Sequence, residues 1–195
     1  RDYKVTGVQT CALPISWDRD WLDEFIQLKG QLAPSVPFKV VDLLNPYADD
    51  KLVGELAAVG LQNVGFGIET LSWKNRGSHL SKVDWDSLHQ VAKNFKRHGV
   101  LGKAYVQIGL PGQTREDVLF TYALLTDLGL RPRFTGSTPF WKLATMTVEQ
   151  LDQEDLRRWD RKSYYDPRCG LSFGEFYTLI TSPKSFVLEA GAWAA

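Results

Sequence analysis

Methionine and cysteine are scarce in this chain, with one and two copies respectively among 195 residues. The two cysteines, Cys11 and Cys169, stand near opposite ends and form no CxxC pair, zinc-ligand spacing or disulfide framework. A cytoplasmic setting is the expectation for such a chain. Net charge is missing too: 23 Lys and Arg balance 23 Asp and Glu, so bulk electrostatics recruit neither nucleic acid nor an anionic membrane. No run approaches the roughly 18 apolar residues of a membrane span, and no basic segment leads into an apolar stretch near the start. Neither a transmembrane helix nor a signal peptide is expected.

Several chemical motifs are absent as well. Gly65-x-Gly67 followed by Thr70 lacks the third glycine of a dinucleotide fingerprint, and there is no P-loop and no GxSxG nucleophile elbow. His79, His89 and His98 show no metal-ligand spacing; the last two are nine residues apart, which puts them on opposite faces of one helix, and all three are expected at the surface. Cys169 has no cysteine or histidine neighbour in sequence and is expected to be a buried, inert thiol. What the chain does have is 44% hydrophobic and 12% aromatic residues, enough for the core of about one domain.

Residues Arg1 to Ser16, RDYKVTGVQTCALPIS, carry neither helical nor strand periodicity, and Val5 to Ile15 resembles the translation of a sequencing-library adapter. The expectation is that 1–16 is a non-native segment, to be left out of fold reasoning, and that the natural chain begins near Trp17 inside a longer gene.

From Trp17 onward short apolar strands alternate with amphipathic helices, the pattern of an α/β fold with parallel strands and crossover helices. Trp21, Phe25 and Leu28 share a helical face over Trp17 to Leu32, and a strand Phe38 to Leu44 follows Pro34 and Pro37. Asp49 and Asp50 open a helix carrying Leu52, Val53, Leu56 and Val59, stopped by Gly60, before a strand Asn63 to Glu69. Asp84 stands at an N-cap position ahead of the stripe Leu88, Val91, Ala92 and Phe95, and Gly99 ends that helix. A strand Lys103 to Ile108 runs into the turn Gly109-Leu-Pro-Gly-Gln113, and Thr114 with Asp117 begins the next helix, which Gly129 ends. A strand Arg133 to Thr138 follows, and Thr147 with Gln150 caps a helix through about Arg158. Past Tyr164 periodicity is poor, although Phe173, Phe176, Tyr177 and Ile180 fit one more short helix. Four strand and helix units make half of an eight-stranded barrel or part of an open sheet, and both gather functional groups at the C-terminal strand ends.

Strand parity picks out the candidates there. Val64, Phe66 and Ile68 share one face of their strand while Gly65, Gly67 and Glu69 share the other, so Glu69 stands at the inner rim either as a ligand acceptor or as a solvated carboxylate. In the next strand Ala104, Val106 and Ile108 turn outward, with Tyr105 and Gln107 inward, where either a ligand or core neighbours would satisfy their polar tips. Gly109, Pro111 and Gly112 let backbone approach a ligand closely, and the following helix start can offer N–H groups to an anion; a plain tight turn is the other reading. Trp159, Tyr164 and Tyr165 among Arg157, Arg158, Arg161 and Lys162 are read as a packed helix-end cluster rather than a nucleic-acid stacking surface.

Three segments taken together resemble the second half of a radical S-adenosylmethionine core domain. ELAAVGLQNVGFGIET, Glu55 to Thr70, looks like that family's fourth strand with its terminal carboxylate; KAYVQIGLPGQTREDV, Lys103 to Val118, looks like the fifth strand and its turn; FTGSTPF, Phe134 to Phe140, looks like the sixth. The resemblance implies the C-terminal portion of a (β/α)6 partial TIM barrel over 17–165, with 166–195 as a C-terminal extension. It also implies an enzyme whose 4Fe-4S cluster, held by a CxxxCxxC loop, reductively cleaves S-adenosylmethionine to a 5′-deoxyadenosyl radical acting on an unidentified small-molecule substrate, with flavodoxin or ferredoxin as reductant. The layout is similar to members with an upstream cobalamin-binding domain. By the same resemblance Glu69, beside Gly67, faces the ribose or amino-acid part of S-adenosylmethionine, Gln107 lines the lumen, the backbone from Ile108 to Gly109 runs beside the adenine, and Pro139 with Phe140 borders the substrate pocket.

This sequence departs from the family in having neither the CxxxCxxC loop nor the glycine-rich, acid-ending segment after the second strand. Both belong before Phe38, so truncation at the adapter junction accounts for them together, and the chain alone is expected to be inactive. Two other readings stand beside this one. A cluster-free TIM-barrel lyase or isomerase would use Glu69 as general base and the Gly109 to Thr114 turn to hold a phosphate. A noncatalytic barrel scaffold or binding module would lack the cysteine loop in its full gene as well.

Overall fold

The structure is a computed structural model that describes residues 19–41, 48–69, 85–138, 140–160 and 164–189. The expected Asp84 cap, the end of the first strand, His79, Cys11, Pro139 and the side chains of Glu69 and Phe140 lie outside the described residues.

Strands and helices alternate as the periodicity predicts: α1 (Arg19–Leu32), β1 (Phe38–Val41), α2 (Asp50–Ala58), β2 (Leu61–Glu69), α3 (Trp85–Arg97), β3 (Leu101–Ile108), α4 (Arg115–Asp127) and β4 (Arg131–Gly136). The four strands form one parallel sheet in the order β1-β2-β3-β4, the α/β class expected of strands joined by crossover helices. In β1 and β2, Lys39 pairs with Asn63, Val40 with Val64 and Val41 with Gly65. After β4 come α5 (Phe140–Leu143), α6 (Val148–Gln153), a 3-10 turn at Leu156–Trp159, α7 (Phe173–Thr181) and α8 (Pro183–Glu189).

The chain divides into two compact units: Arg1–Gly67 with Val83–Ala104 and Leu128–Arg131, and Ile68–Lys82 with Tyr105–Asp127 and Pro132–Ala195. In the first, Asp49 caps α2 by accepting from the Leu52 N–H at 2.7 Å, and Leu52, Val53 and Leu56 are buried. Gly60 ends the turn at φ +106°, and a Cβ there would stand 2.8 Å from the Val36 carbonyl oxygen, so only glycine fits. Lys29 of α1 donates to the Ala33 carbonyl and, at 2.8 and 3.0 Å, to those of Val36 and Val59. Phe66 of β2 meets Phe95 of α3 with ring centroids 6.1 Å apart, and Val64 and Phe66 are fully buried. Burial of each such side chain contributes about 1.5–3 kcal/mol.

One expectation for this unit changes, and one face is left open. Trp21, Phe25 and Leu28 share a face of α1 as their spacing implies, with Phe25 edge-on to Phe38 at 5.4 Å, but Leu22 is the buried residue while Trp21 and Leu28 stay exposed. Helical spacing identifies a stripe but not its neighbour, and α1 meets α2 through the other side, where Arg19 pairs with Glu55 at 2.6 Å. His98 is not a bare surface residue. Its Nε2 lies 3.0 Å from Asp50, which Arg97 also holds at 2.7 Å, and its ring packs against Gly54, where a Cβ would come within 2.8 Å. Asp50 is held below its ordinary carboxylate range by the His98 and Arg97 hydrogen bonds, which together outweigh a desolvation that acts the other way.

In the second unit Thr114 and Asp117 exchange backbone-to-side-chain hydrogen bonds at 2.9 and 3.2 Å, the box expected at the start of α4. Tyr122 of α4 stacks on Phe134 of β4 with centroids 6.3 Å apart. The helix expected from Thr147 to about Arg158 is instead two pieces. Thr147 and Gln150 cap α6, which stops at Glu154, and Asp155 caps a separate 3-10 turn by accepting from the Arg157 N–H at 3.2 Å. Trp159 packs on Tyr164 with centroids 5.3 Å apart and donates to Glu154 at 3.1 Å.

Candidate functional site at the strand ends

Alternation along β3 is as the parity predicts: Ala104, Val106 and Ile108 are buried, whereas Tyr105 is 39% exposed and Gln107 half-buried. Along β2, Val64, Phe66 and Ile68 are buried and Gly67 is half-buried, with Glu69 the last residue of the strand. Tyr105 and Gln107 therefore occupy the less covered face of the sheet.

The turn after β3 is more tightly built than glycine content alone suggests. Gly109 and Gly112 have φ +81° and +76°, conformations that favour glycine. A Cβ on Gly109 would lie 3.1 Å from the ring of Phe176, a residue 1% exposed on α7. The sequence reading offered the following helix start's N–H groups to an anion and the turn's backbone to a ligand's close approach; in the structure the turn's own first two N–H groups go to Gln113. Its Oε1 accepts from the Gly109 N–H at 2.9 Å and the Leu110 N–H at 3.4 Å, and its Nε2 donates to the Gln107 carbonyl at 3.2 Å. Motif reading gives Gln113 no role. A polar side chain directly after a glycine turn was its only sequence signal.

On the opposite edge of β3 the Ile108 carbonyl accepts from the Ser137 N–H at 2.8 Å. One residue further along, Thr138 Oγ1 is buried with no hydrogen-bond partner among the described residues. An orphaned acceptor and donor of this kind is what a bound polar group would satisfy.

The segment after Tyr164 completes the turn. Gly112 N–H donates to the Arg168 carbonyl at 3.2 Å, and Gly170 N–H donates to the Gln113 carbonyl at 2.7 Å. A Cβ on Gly170 would sit 3.0 Å from that Gln113 oxygen. Tyr165 donates from its hydroxyl to the Leu171 carbonyl at 2.6 Å and packs edge-on against Phe176 at 5.6 Å. Asp166, 7% exposed, accepts from the Arg168 guanidinium at 2.5 Å, and that hydrogen bond holds its carboxyl down at about 2. Burial pushes the Tyr165 and Tyr164 hydroxyls up. Cys169 is buried, as expected, with Sγ 3.7 Å from the Leu171 carbonyl.

Among the described residues no group of three or more His, Cys, Asp or Glu is placed to hold a metal, so these residues do not fit an iron-sulfur cluster. No described helix is long and apolar enough to cross a membrane. A separate apolar cavity of about 430 Å³ lies on α1 and shares no residue with the strand-end candidates.

The four-stranded parallel sheet is distantly similar in fold to solved structures of radical S-adenosylmethionine enzymes. Coproporphyrinogen III oxidase (HemN) from Escherichia coli, a radical S-adenosylmethionine enzyme, superposes with a TM-score of 0.57 at 12% identity, over 89% of this chain and 38% of that one. The radical S-adenosylmethionine methyltransferase TsrM from Kitasatospora setae, solved with cobalamin and a 4Fe-4S cluster bound, gives 0.52 at 18% identity, over 64% of this chain and 25% of that one. The chain thus spans well under half the length of either protein, and the likeness is one of fold. No protein-family profile and no curated protein matches the sequence.

Proposed function

We propose that the chain is the C-terminal part of a radical S-adenosylmethionine core, a partial (β/α)6 barrel whose cluster-binding half belongs to the same natural polypeptide. The observation that carries this reading is a four-stranded parallel sheet on which the glycine-rich turn falls at the end of β3 and Glu69 at the end of β2, on a fold superposable over most of its length with HemN. The unpartnered Thr138 hydroxyl beyond β4 adds an unfilled polar capacity at the same kind of position.

In this reading Glu69 accepts hydrogen bonds from the ribose or amino-acid part of S-adenosylmethionine, and Gly67 keeps the approach clear. Gln107 lines the lumen, and the backbone from Ile108 to Gly109 runs beside the adenine. The cofactor, when bound to a cluster supplied elsewhere, brings the radical chemistry; this part of the barrel orients it and excludes water. The likeness to a cobalamin-bound methyltransferase supports an upstream cobalamin domain in the whole protein. The phosphate-binding lyase or isomerase is disfavoured because the Gly109 and Leu110 N–H groups already serve Gln113.

The test is to express the gene-length protein anaerobically, reconstitute it with iron and sulfide, reduce it with dithionite and assay S-adenosylmethionine cleavage. The expected result is 5′-deoxyadenosine and methionine in amounts that depend on added iron. No cleavage, together with thermal stabilisation by phosphate-bearing ligands and none by S-adenosylmethionine, would overturn the reading.

A further inference from the structure

The amide of Gln113 does at the end of β3 what a neighbouring strand does within the sheet. Along an extended strand the carbonyl of one residue and the N–H two residues later point to the same side. Gln113 occupies that side at Ile108, donating to the Gln107 carbonyl at 3.2 Å and accepting from the Gly109 N–H at 2.9 Å. The other side is taken by Ser137, whose N–H reaches the Ile108 carbonyl at 2.8 Å. The side chain is 2% exposed, and its own backbone is fixed at both ends, by the Leu110 carbonyl at 3.0 Å and the Gly170 N–H at 2.7 Å. A buried amide with this many satisfied groups is rigid, because each lost bond leaves a desolvated polar atom behind.

We propose that Gln113 is a positioning residue of the strand-end site: its amide fixes the backbone from Gln107 to Leu110 and withholds the Gly109 and Leu110 N–H groups from anionic ligands. A ligand at the end of β3 is then held without those two donors. The inference concerns the geometry of the turn; only the identity of the ligand rests on the radical S-adenosylmethionine reading.

The experiment uses the 195-residue chain, isotope-labelled, in three forms: unchanged, Gln113→Leu and Gln113→Glu. Leucine keeps the volume and removes both hydrogen-bonding roles, whereas glutamate keeps the acceptor. Amide hydrogen exchange at Gly109 and Leu110 is expected to quicken at least about tenfold in Gln113→Leu, with α4 unchanged, and by clearly less in Gln113→Glu, which keeps the acceptor for those two N–H groups but loses the bond to the Gln107 carbonyl. Rescue by glutamate separates the acceptor role from mere packing. In the unchanged chain, a scalar coupling from the Gly109 nitrogen to the Gln113 side-chain carbonyl carbon is expected, and inorganic phosphate should leave the Gly109 and Leu110 amide signals in place. This second measurement holds even if Gln113→Leu does not fold. Unaltered protection in Gln113→Leu, equal loss in both variants, absence of the coupling, or phosphate-dependent shifts at those amides would each overturn the proposal. None of these readouts involves S-adenosylmethionine, so a failed latch leaves the proposed function standing, and a gene-length protein that does not cleave S-adenosylmethionine leaves the latch standing.

Discussion

On α1 and β1 apolar side chains stand in solvent, whereas around the turn after β3 even polar side chains are buried. Trp21, Leu28 and Leu32 are 42%, 46% and 80% exposed, and β1 has β2 as its one neighbour among the described strands. Gln113 and Asp166, by contrast, are 2% and 7% exposed, the first hydrogen-bonded to Gly109 and Gln107 and the second to Arg168. An apolar face of this kind gains free energy when something covers it, and a buried polar group is tolerated only when its partners are already in place. The turn is thus complete as it stands. The α1 and β1 flank leaves such a face uncovered among the described residues.

The largest expected effect lies on the finished side. Phe176→Ala removes the ring that packs over Gly109 and should cost about 3–5 kcal/mol, read as a lowered urea midpoint. A loss under about 1 kcal/mol would mean that the turn stands without α7. On the other flank the sensitive point is backbone rather than side chain. Gly60→Ala forces a positive φ and brings a Cβ to within 2.8 Å of the Val36 carbonyl, so a loss of about 2 kcal/mol or more is expected in the same measurement.

Asp166 supplies a pH signature. Its folded carboxyl, at about 2, lies below the ordinary value of 3.8, so it contributes stability above about pH 4 that is lost as pH falls toward 2. Arg168 is 63% exposed, which discounts the contribution to roughly 1–2 kcal/mol. Asp166→Asn should therefore be less stable than the parent at neutral pH, and the gap should close in acid; a gap that persists to pH 2 would contradict the pairing. The smallest effect is expected at Leu32→Lys, within about 0.5 kcal/mol, accompanied by less self-association in sedimentation velocity. A cost above about 1.5 kcal/mol there would show that α1 is packed rather than exposed, and the contrast between the two flanks would collapse.

Much of this was readable from residue order. The caps at Asp49, Thr114 and Thr147, the stops at Gly60, Gly99 and Gly129, and the burial of Val64, Phe66, Ala104, Val106 and Ile108 all follow from local chemistry and period. Strand beginnings were less legible: β2, β3 and β4 start at Leu61, Leu101 and Arg131, each directly or almost directly after its glycine turn and two residues earlier than expected. Pairing extends a strand as far as a neighbour lies alongside, and propensity does not encode that length. The covered face of α1, the His98 clamp on Asp50 and the role of Gln113 were not legible at all. Each depends on a partner distant in sequence or on a backbone path that only the folded chain defines.

The proposal that this sheet belongs to a radical S-adenosylmethionine core is tested most directly by reading the source DNA upstream of the Trp17 codon. An in-frame CxxxCxxC followed by a glycine-rich, acid-ending segment is expected within about two strand and helix units. A natural reading frame that continues upstream without those cysteines, or a genomic origin for RDYKVTGVQTCALPIS, would contradict it.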